Sequence, residues 1–232
     1  MERLHNGYTL ELSEGAFPLS TDSIALAGFA KLPKHAKVLD LGSGCGTLGL
    51  LLCSRYNNCT VTGIELDAAA HDMALHNARE NKIPSRLTSI CGDLCNVHTF
   101  IKPGSFSCCI SNPPYFASGP VSQTVPVARS EQAMNIDALL HSAAWALKYG
   151  GDFFLVHKPE RLAELCRVAG EHQLEAKRLR LLRHHPEGPV TLILLQFRKG
   201  GKPGLVWEEV CLYDAGNKPT AYYQELYHLQ EG

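Results

Sequence analysis

Apolar runs of strand length alternate with segments of helical period from Ala36 onward. This alternation is typical of a parallel sheet that is covered by helices on both faces. The last two predicted strands are separated only by residues 184–188, so we expect them to pair as an antiparallel hairpin. Strands are predicted at 37–41, 60–65, 87–91, 107–111, 151–157, 174–182 and 189–198, and helices at 46–55, 68–81, 136–148 and 159–171.

Three segments lie outside this alternation. Residues 1–35 precede the first strand and contain a helical pattern over 22–30, which Ser20 or Thr21 can cap. The polar loop at 116–135 is long for a compact domain, which is typical of a functional or mobile segment. We therefore expect one domain over 1–232, divided into an N-terminal segment (1–35), a core (36–200) and a C-terminal extension (201–232) with a turn, a short strand and a helix around 220–229.

Charge and cysteine content exclude several classes of protein. The net charge of −1 favours neither a general polyanion binder nor a membrane-surface protein. Residues 158–202 nevertheless carry 10 Lys or Arg against 5 Asp or Glu. Nine cysteines without paired spacing indicate reduced thiols and favour no metal site. No apolar run is long enough to span a bilayer, so we expect a soluble, cytoplasmic protein; its oligomeric state stays open.

A glycine-rich turn follows the first predicted strand. Glycines let the backbone approach a ligand closely, and the start of the next helix offers free N–H groups, so the turn predicts a cofactor. The glycines are Gly42, Gly44 and Gly46, in the spacing G-x-G-x-G. A dinucleotide-binding turn would have its last glycine where this chain has Thr47. An ordinary strand–helix turn is the alternative.

Acidic residues mark the ends of the first three predicted strands. Glu65 lies about 20 residues after the glycines, where a carboxylate can accept both hydroxyls of a ribose. Asp93 can hold an adenine amino group, although Gly-Asp is also a common turn. Because open α/β sheets bind ligands at the carboxyl ends of their strands, these two acids and Asp40 predict a nucleoside-binding rim. Leu66 and Leu94, each directly after one of the acids, are counted with this site.

The glycine turn and the spaced acids together resemble the class I methyltransferases that use S-adenosylmethionine. The resemblance implies a Rossmann-like α/β fold with a seven-stranded sheet, in which an antiparallel hairpin closes five parallel strands. It also implies that Glu65 holds the ribose, that Asp93 holds the adenine amine, and that Asp40 and the glycines hold the methionine portion. Residues 1–35 would then cover the cofactor.

The fourth predicted strand ends in ISNPPYF, residues 110–116, at the same edge of the sheet. An exocyclic amine is a poor nucleophile because its lone pair is delocalised into a π system. The Asn112 side-chain carbonyl and the Pro113 main-chain carbonyl can accept both amine hydrogens and redirect that lone pair. Tyr115 offers a face on which a planar group can stack. With Pro114 these residues form NPPY, which resembles the signature of amino-methyltransferases acting on adenine, cytosine or glutamine nitrogen; a bare strand terminator is the alternative.

Three longer stretches narrow this resemblance. FPLSTDSIALAGFA, ARSEQAMNIDALLHSAAWALKYGGDFFLVHKPERL and RHHPEGPVTLILLQFRKGGKPGL resemble the bacterial tRNA adenine-N6-methyltransferases that modify an adenine beside the anticodon of a valine tRNA. Ser130 stands where that family often has His. Methyltransferases acting on release-factor glutamine share NPPY, but they resemble one another in having a longer helical domain before the glycine turn. A non-catalytic binding module on the same fold is a further alternative.

A strip of basic residues agrees with an RNA substrate. We expect three arginines of the sixth predicted strand to share one face, with further basic residues in or after the hairpin. Such a strip can follow an RNA backbone through phosphate contacts, although a solvated strand face has the same pattern. The predicted RNA-binding residues are Arg178, Arg180, Arg183, His184 and Lys199.

Overall fold

The computed structural model describes residues 2–4, 7–114 and 135–227. The strands are β1 (Glu2–Arg3), β2 (Thr9–Leu10), β3 (Lys37–Leu41), β4 (Thr60–Glu65), β5 (Leu87–Cys91), β6 (Phe106–Ser111), β7 (Leu147–His157), β8 (Leu174–Arg183), β9 (Val190–Lys199) and β10 (Val206–Cys211). The α-helices are α1 (Thr21–Phe29), α2 (Thr47–Arg55), α3 (Ala68–Glu80), α4 (Val97–Phe100), α5 (Ile136–Ala146), α6 (Leu162–Glu171) and α7 (Ala221–Tyr227).

The central sheet has the strand order β10-β8-β9-β7-β6-β3-β4-β5. Strand β9 pairs antiparallel with both β7 and β8, and the other neighbours are parallel. The predicted fold class is confirmed, because five parallel strands (β3 to β7) are closed by the β8–β9 hairpin. Strands β1 and β2 form a separate antiparallel pair.

The sheet has one strand more than the predicted seven. The short strand expected after the hairpin is β10, which pairs parallel with β8 from Val206 opposite Arg178 to Cys211 opposite Arg183. Without β10, the outer edge of β8 would present unpaired main-chain groups. The sequence predicts this short strand, but its pairing with the edge of β8 is seen only in the structure.

The predicted helix 136–148 also differs at its end. Helix α5 stops at Ala146, and the chain is already extended at Leu147. Strand β7 consequently begins four residues before the predicted 151, with Gly150 in a left-handed conformation (φ 77°) and a register shift against β6. The apolar residues at this junction suit either element, so their pattern alone does not place the boundary.

Each face of the sheet carries its own apolar core. One core lies between the sheet and helices α1, α2, α3 and α7, with Leu26, Leu50 and Leu226 among its buried side chains. The other lies between the opposite face and helices α4, α5 and α6, with Leu140 and Leu165 among them. Burial on both faces explains why the parallel strands read as continuous apolar runs. The polar carboxyl ends of these strands are thereby left at one edge of the sheet.

Candidate active site

Hydrogen bonds join the carboxyl ends of four neighbouring strands. These bonds fix the loops that follow β3, β4, β5 and β6 relative to one another. The predicted site residues in and beside these loops therefore have fixed relative positions. The donors and acceptors are the Gly42 and Ser43 N–H groups to the Ile64 carbonyl (3.0 and 3.1 Å), the Gly92 N–H to the Glu65 carbonyl (2.8 Å) and the Ser111 hydroxyl to the Leu41 carbonyl (2.7 Å).

The glycine turn needs its glycines for two different reasons. Gly42, Gly44 and Gly46 all have positive φ (75°, 54° and 82°), which glycine adopts at least cost. A Cβ on Gly46 would also lie 3.2 Å from Ala74 Cβ, so this glycine lets α3 pack against the turn. A Cβ on Gly44 would meet nothing within 4 Å. The backbone at Gly44 is therefore accessible to a ligand.

Glu65 is bound to the glycine turn through its side chain. One carboxylate oxygen accepts the Gly44 N–H at 2.7 Å, and the other accepts the Asp67 N–H at 2.9 Å. Each oxygen has a second lone pair, so the carboxylate can also accept ribose hydroxyls. The neighbouring Leu66 is 56% exposed beside it and offers an apolar surface to a nucleoside.

Asp93 lies half-buried after β5, as predicted. Its Oδ1 accepts the Cys95 N–H at 2.8 Å and so caps a short 3-10 helix. Leu94 packs partly against the core on the α5 face. Capping fixes the direction of the Asp93 carboxylate at the edge of the rim.

Asp40 is fully buried beneath this rim. Neither of its carboxyl oxygens, nor the buried Ser43 hydroxyl, has a hydrogen-bond partner within the described part of the chain. Burial, followed by the negative charge of Glu65, raises the pKa of Asp40 from 3.8 to about 8. Unpaired buried polar groups are costly, so this pair suits a ligand that brings a cationic donor such as an amino group. The residues present therefore fit the methionine portion of S-adenosylmethionine.

Asn112 follows β6 at the same edge. Ile110 is the register partner of Asp40, and the Ser111 hydroxyl donates to the Leu41 carbonyl, so Asn112 and the glycine turn follow two strand ends that are paired with each other. The Asn112 side chain is half-buried, and its Nδ2 donates to Ser23 Oγ at 3.0 Å. Sequence reasoning missed Ser23, because the two residues lie 89 positions apart.

The two prolines of the NPPY motif follow Asn112 directly. Pro113 is buried and Pro114 is half-buried, next to Asn112. Tyr115 and Ser130 lie outside the described residues. Asn112, Pro113 and Pro114 thus lie at the carboxyl edge of the sheet, as the sequence predicts.

The N-terminal segment is attached directly to the glycine turn. Asn77 of α3 accepts the Glu11 N–H and donates to the carbonyls of both Glu11 and Cys45, all at 2.9 Å. The Ser13 N–H reaches the Cys45 sulfur at 3.4 Å. Asn81 binds the main chain of Thr9 in the same way. The segment before α1 is therefore anchored at the turn that is predicted to hold the cofactor.

The basic strip does not form one open surface. Arg178 and Arg180 lie against the Phe29 ring, at 4.3 and 5.3 Å from its centroid, and both pair with Glu208 of β10. Arg183 pairs with Glu209, and successive residues of a strand point to opposite faces. The prediction that all three arginines share one face is therefore wrong for Arg183.

Most of the basic residues near the hairpin bind a carboxylate or a main-chain carbonyl of the protein itself. The six arginines within 158–202 each have a carboxylate partner. Lys199 donates to the carbonyls of Ala144 and Leu147, where α5 ends. His184 is exposed in the hairpin turn. Of the five predicted RNA-binding residues, it is the only one in the exposed class, and the other four are half-buried.

Neither a metal-binding cluster nor a membrane-spanning helix is found among the described residues. Across 2–4, 7–114 and 135–227, no three His, Cys, Asp or Glu side chains are grouped so that they could hold a metal ion. No helix within those ranges is long and apolar enough to cross a membrane.

A glycine turn, an acid at or near the carboxyl end of each of three parallel strands, and a closing antiparallel hairpin define a class I methyltransferase. Solved structures share this fold: a predicted O-methyltransferase from Agrobacterium tumefaciens has a TM-score of 0.76 at 19% identity, over 90% of this chain and 96% of that one. TrmN from Thermus thermophilus has a TM-score of 0.58 at 19% identity, over 76% of this chain and 48% of that one. The family model for the methyltransferase small domain matches residues 21–174, and the chain belongs to this family.

Curated relatives are more specific. A protein of Photobacterium profundum named tRNA1(Val) (adenine(37)-N6)-methyltransferase is 30% identical over 203 residues, which cover 85% of each chain. Proteins of the same name from Vibrio vulnificus and Actinobacillus pleuropneumoniae are 29% and 28% identical, over 94% and 91% of this chain and 90% and 89% of theirs.

Proposed function

We propose that this protein transfers a methyl group from S-adenosylmethionine to the exocyclic N6 of an adenine in tRNA, at position 37 of a valine tRNA as in the names of its relatives. The observation that carries the proposal is that Asn112 follows the end of β6, which is paired with β3 just before the glycine turn that Glu65 binds. In this arrangement a fixed amide would lie next to the proposed nucleoside site. An amine positioned there has an acceptor within its reach.

The cofactor-binding roles follow from the contacts of each residue. Glu65, which already orients the glycine turn, would accept the ribose hydroxyls, and Asp93 would accept the adenine amine. Leu66 and Leu94 would flank the base.

The methionine portion would be held by Asp40 together with the glycine turn (Gly42, Gly44 and Gly46). Its amino group would pair with the buried carboxylate of Asp40. When bound, S-adenosylmethionine supplies a methyl group on a positively charged sulfur.

The protein's own contribution to methyl transfer is to orient the amine and to stabilise its developing charge. Asn112 Oδ1 and the Pro113 carbonyl would each accept one amine hydrogen, which directs the nitrogen lone pair away from the ring plane. The same acceptors stabilise the positive charge that grows on nitrogen. Proline fixes the main chain at this point, so the acceptors need little reorganisation. Tyr115 would stack against the adenine. Pro114 would rigidify the turn that joins Asn112 to Tyr115.

Three further assignments accompany this function. The N-terminal segment 1–35 would cover the cofactor, because its main chain is anchored at the glycine turn through Asn77 and Cys45. His184 and the hairpin turn would contact the tRNA, since this turn holds the exposed imidazoles of His184 and His185. Nine unpaired cysteines and a tRNA substrate favour the cytoplasm.

Glutamine methylation of a release factor is not favoured, because the curated relatives are named as tRNA adenine methyltransferases. A direct experiment separates the two. The purified protein is incubated with methyl-labelled S-adenosylmethionine and either total tRNA or release factor, and the product is digested. We expect label in N6-methyladenosine from the valine tRNA. Label in methylglutamine, or in neither product, would contradict the proposal.

A further inference from the structure

Helix α1 begins next to the NPPY motif. Ser20 caps the helix, with its Oγ accepting the Ser23 N–H at 3.3 Å. The Ser23 side chain points inward, since the residue is only 7% exposed, and its Oγ accepts the Asn112 Nδ2–H at 3.0 Å. The first turn of α1 therefore binds one end of the Asn112 amide.

The two ends of that amide have opposite chemistry. Nδ2 is a donor and Oδ1 is an acceptor, and rotation of the terminal torsion by half a turn exchanges them at low cost. In the proposed reaction the substrate amine needs an acceptor. A rotated amide would point its own N–H groups at the amine and repel it. The orientation of this amide consequently decides whether Asn112 can act.

A hydroxyl in the first turn of a helix is suited to select the orientation. A serine hydroxyl has two lone pairs that can accept hydrogen bonds, and one of those on Ser23 faces the Asn112 Nδ2–H. The Ser20 hydroxyl also donates toward Ser23 Oγ, at 3.5 Å. With Ser23 acting as an acceptor, Nδ2 is held at the helix and Oδ1 occupies the opposite side of the amide.

The helix that carries Ser23 is itself held in place. Thr21 Oγ1 and the Tyr227 hydroxyl of α7 are 2.9 Å apart, and Arg55 of α2 donates to the Leu226 carbonyl at 3.3 Å. The hydroxyl of Ser23 thus has a defined position relative to the end of β6. Positional precision of this kind is what an orienting group requires.

We propose that Ser23 is a positioning residue, which holds the Asn112 amide with Oδ1 toward the substrate amine. This role rests on the proposed function. Ser23→Ala should lower kcat about tenfold and leave the affinity for S-adenosylhomocysteine unchanged. The reason is that the change misorients Asn112 Oδ1, which contacts the substrate amine in the transition state and not the cofactor. Ser23→Thr keeps the hydroxyl and should restore activity. Ser54→Ala, which removes a buried hydroxyl from α2, serves as the matched control and should retain full kcat.

Two readouts distinguish positioning from a general loss of structure. In an Asn112→Ala background, Ser23→Ala should have no further effect on kcat, since both changes act through the same amide. In nitrogen-15 NMR spectra, the Asn112 side-chain signals, assigned from their loss in Asn112→Ala, should shift and exchange faster with solvent in Ser23→Ala. Independent, multiplicative effects on kcat or unchanged Asn112 signals would overturn the proposal. A wild-type protein inactive on tRNA would instead contradict the proposed function, and the NMR measurement would still test Ser23.

Discussion

Ser43 of the glycine turn lies directly over the α-carbon of Gly63 in β4. A Cβ built on Gly63 would be 2.3 Å from Ser43 Oγ and 2.7 Å from Ser43 Cβ. Glycine is therefore required at this strand position so that the cofactor turn can cross the neighbouring strand. Its φ is not the reason, because Gly63 is not among the positive-φ glycines of the described chain.

Gly63→Ala should displace the glycine turn. We expect a loss of roughly 1–3 kcal/mol in the free energy of unfolding, as for other overpacked sites, together with weaker binding of S-adenosylhomocysteine. Adding Ser43→Gly removes both close atoms and should recover most of the stability. Gly170→Ala is the control, because a Cβ there meets nothing within 4 Å. Chemical denaturation and calorimetric titration measure both quantities; a stable Gly63→Ala protein with normal affinity would argue against the packing account.

Asn112→Ala should separate catalysis from cofactor binding. Loss of one preorganised acceptor is expected to reduce kcat by roughly 10²–10³, with little change in affinity for S-adenosylhomocysteine. Asn58→Ala, in an exposed turn, is the matched control and should behave as wild type. Turnover on tRNA and calorimetric titration provide the two measurements. Cofactor affinity that disappears along with turnover would count against the assigned role.

Asp40 should make stability depend on pH in an unusual direction for a carboxyl group. Its pKa in the folded protein, about 8, lies above the ordinary 3.8, so the folded state binds a proton more tightly than the unfolded state. Its stabilising contribution is complete below pH 4 and is lost as the pH rises through 8. Asp40→Asn cannot ionise, and its Tm advantage over wild type should therefore grow between pH 6 and pH 9. Asn58→Ala, which changes no titratable group, is the control and should show no such trend.

Cofactor binding should be linked to the same proton. A bound amino group favours the carboxylate form of Asp40, so binding of S-adenosylhomocysteine near pH 7 should release protons from this residue. Calorimetric titrations in two buffers of different ionisation enthalpy measure that release. Asp40→Asn should bind the ligand at least about tenfold more weakly, since it loses a buried charge partner, and should release fewer protons. Equal proton release by both proteins would refute the linkage.

Arg180 should matter more for stability than for tRNA binding. Its guanidinium donates to Glu208 at 2.8 Å and lies over the rings of Phe29 and Tyr222, and its side chain is only 16% exposed. We expect Arg180→Ala to cost about 1–3 kcal/mol, because it leaves Glu208 with the more distant Arg178 and removes two ring contacts.

The salt dependence of tRNA affinity distinguishes this role from the one the sequence predicts. Its slope should be unchanged in Arg180→Ala, whereas loss of a phosphate contact would reduce it by about one unit. Arg167→Ala breaks an exposed ion pair within α6 and should cost no more than about 1 kcal/mol. A flatter slope for Arg180→Ala with normal stability would restore the RNA-binding interpretation.

Local patterns were sufficient for most of the fold. The apolar runs placed the seven predicted strands and the hairpin within a few residues, because strands buried on both faces must be apolar along their whole length. The sequence predicts Ser20 or Thr21 as the cap of this helix, and Ser20 is the residue that caps α1. The glycine turn, the acids and NPPY were placed at one edge, since parallel strands direct all their carboxyl ends the same way.

The sequence by itself thus determined the class of fold and the edge at which the chemistry is gathered, because both follow from periodicity and from residues adjacent to strand ends. Only the tertiary structure decided which side chains meet across long separations. It placed Glu208 beside Arg178 and Arg180, and it placed Ser23 beside Asn112. A charged or polar side chain has the same local pattern whether it faces solvent or a distant partner, and its partner exists only once the sheet and helices have packed.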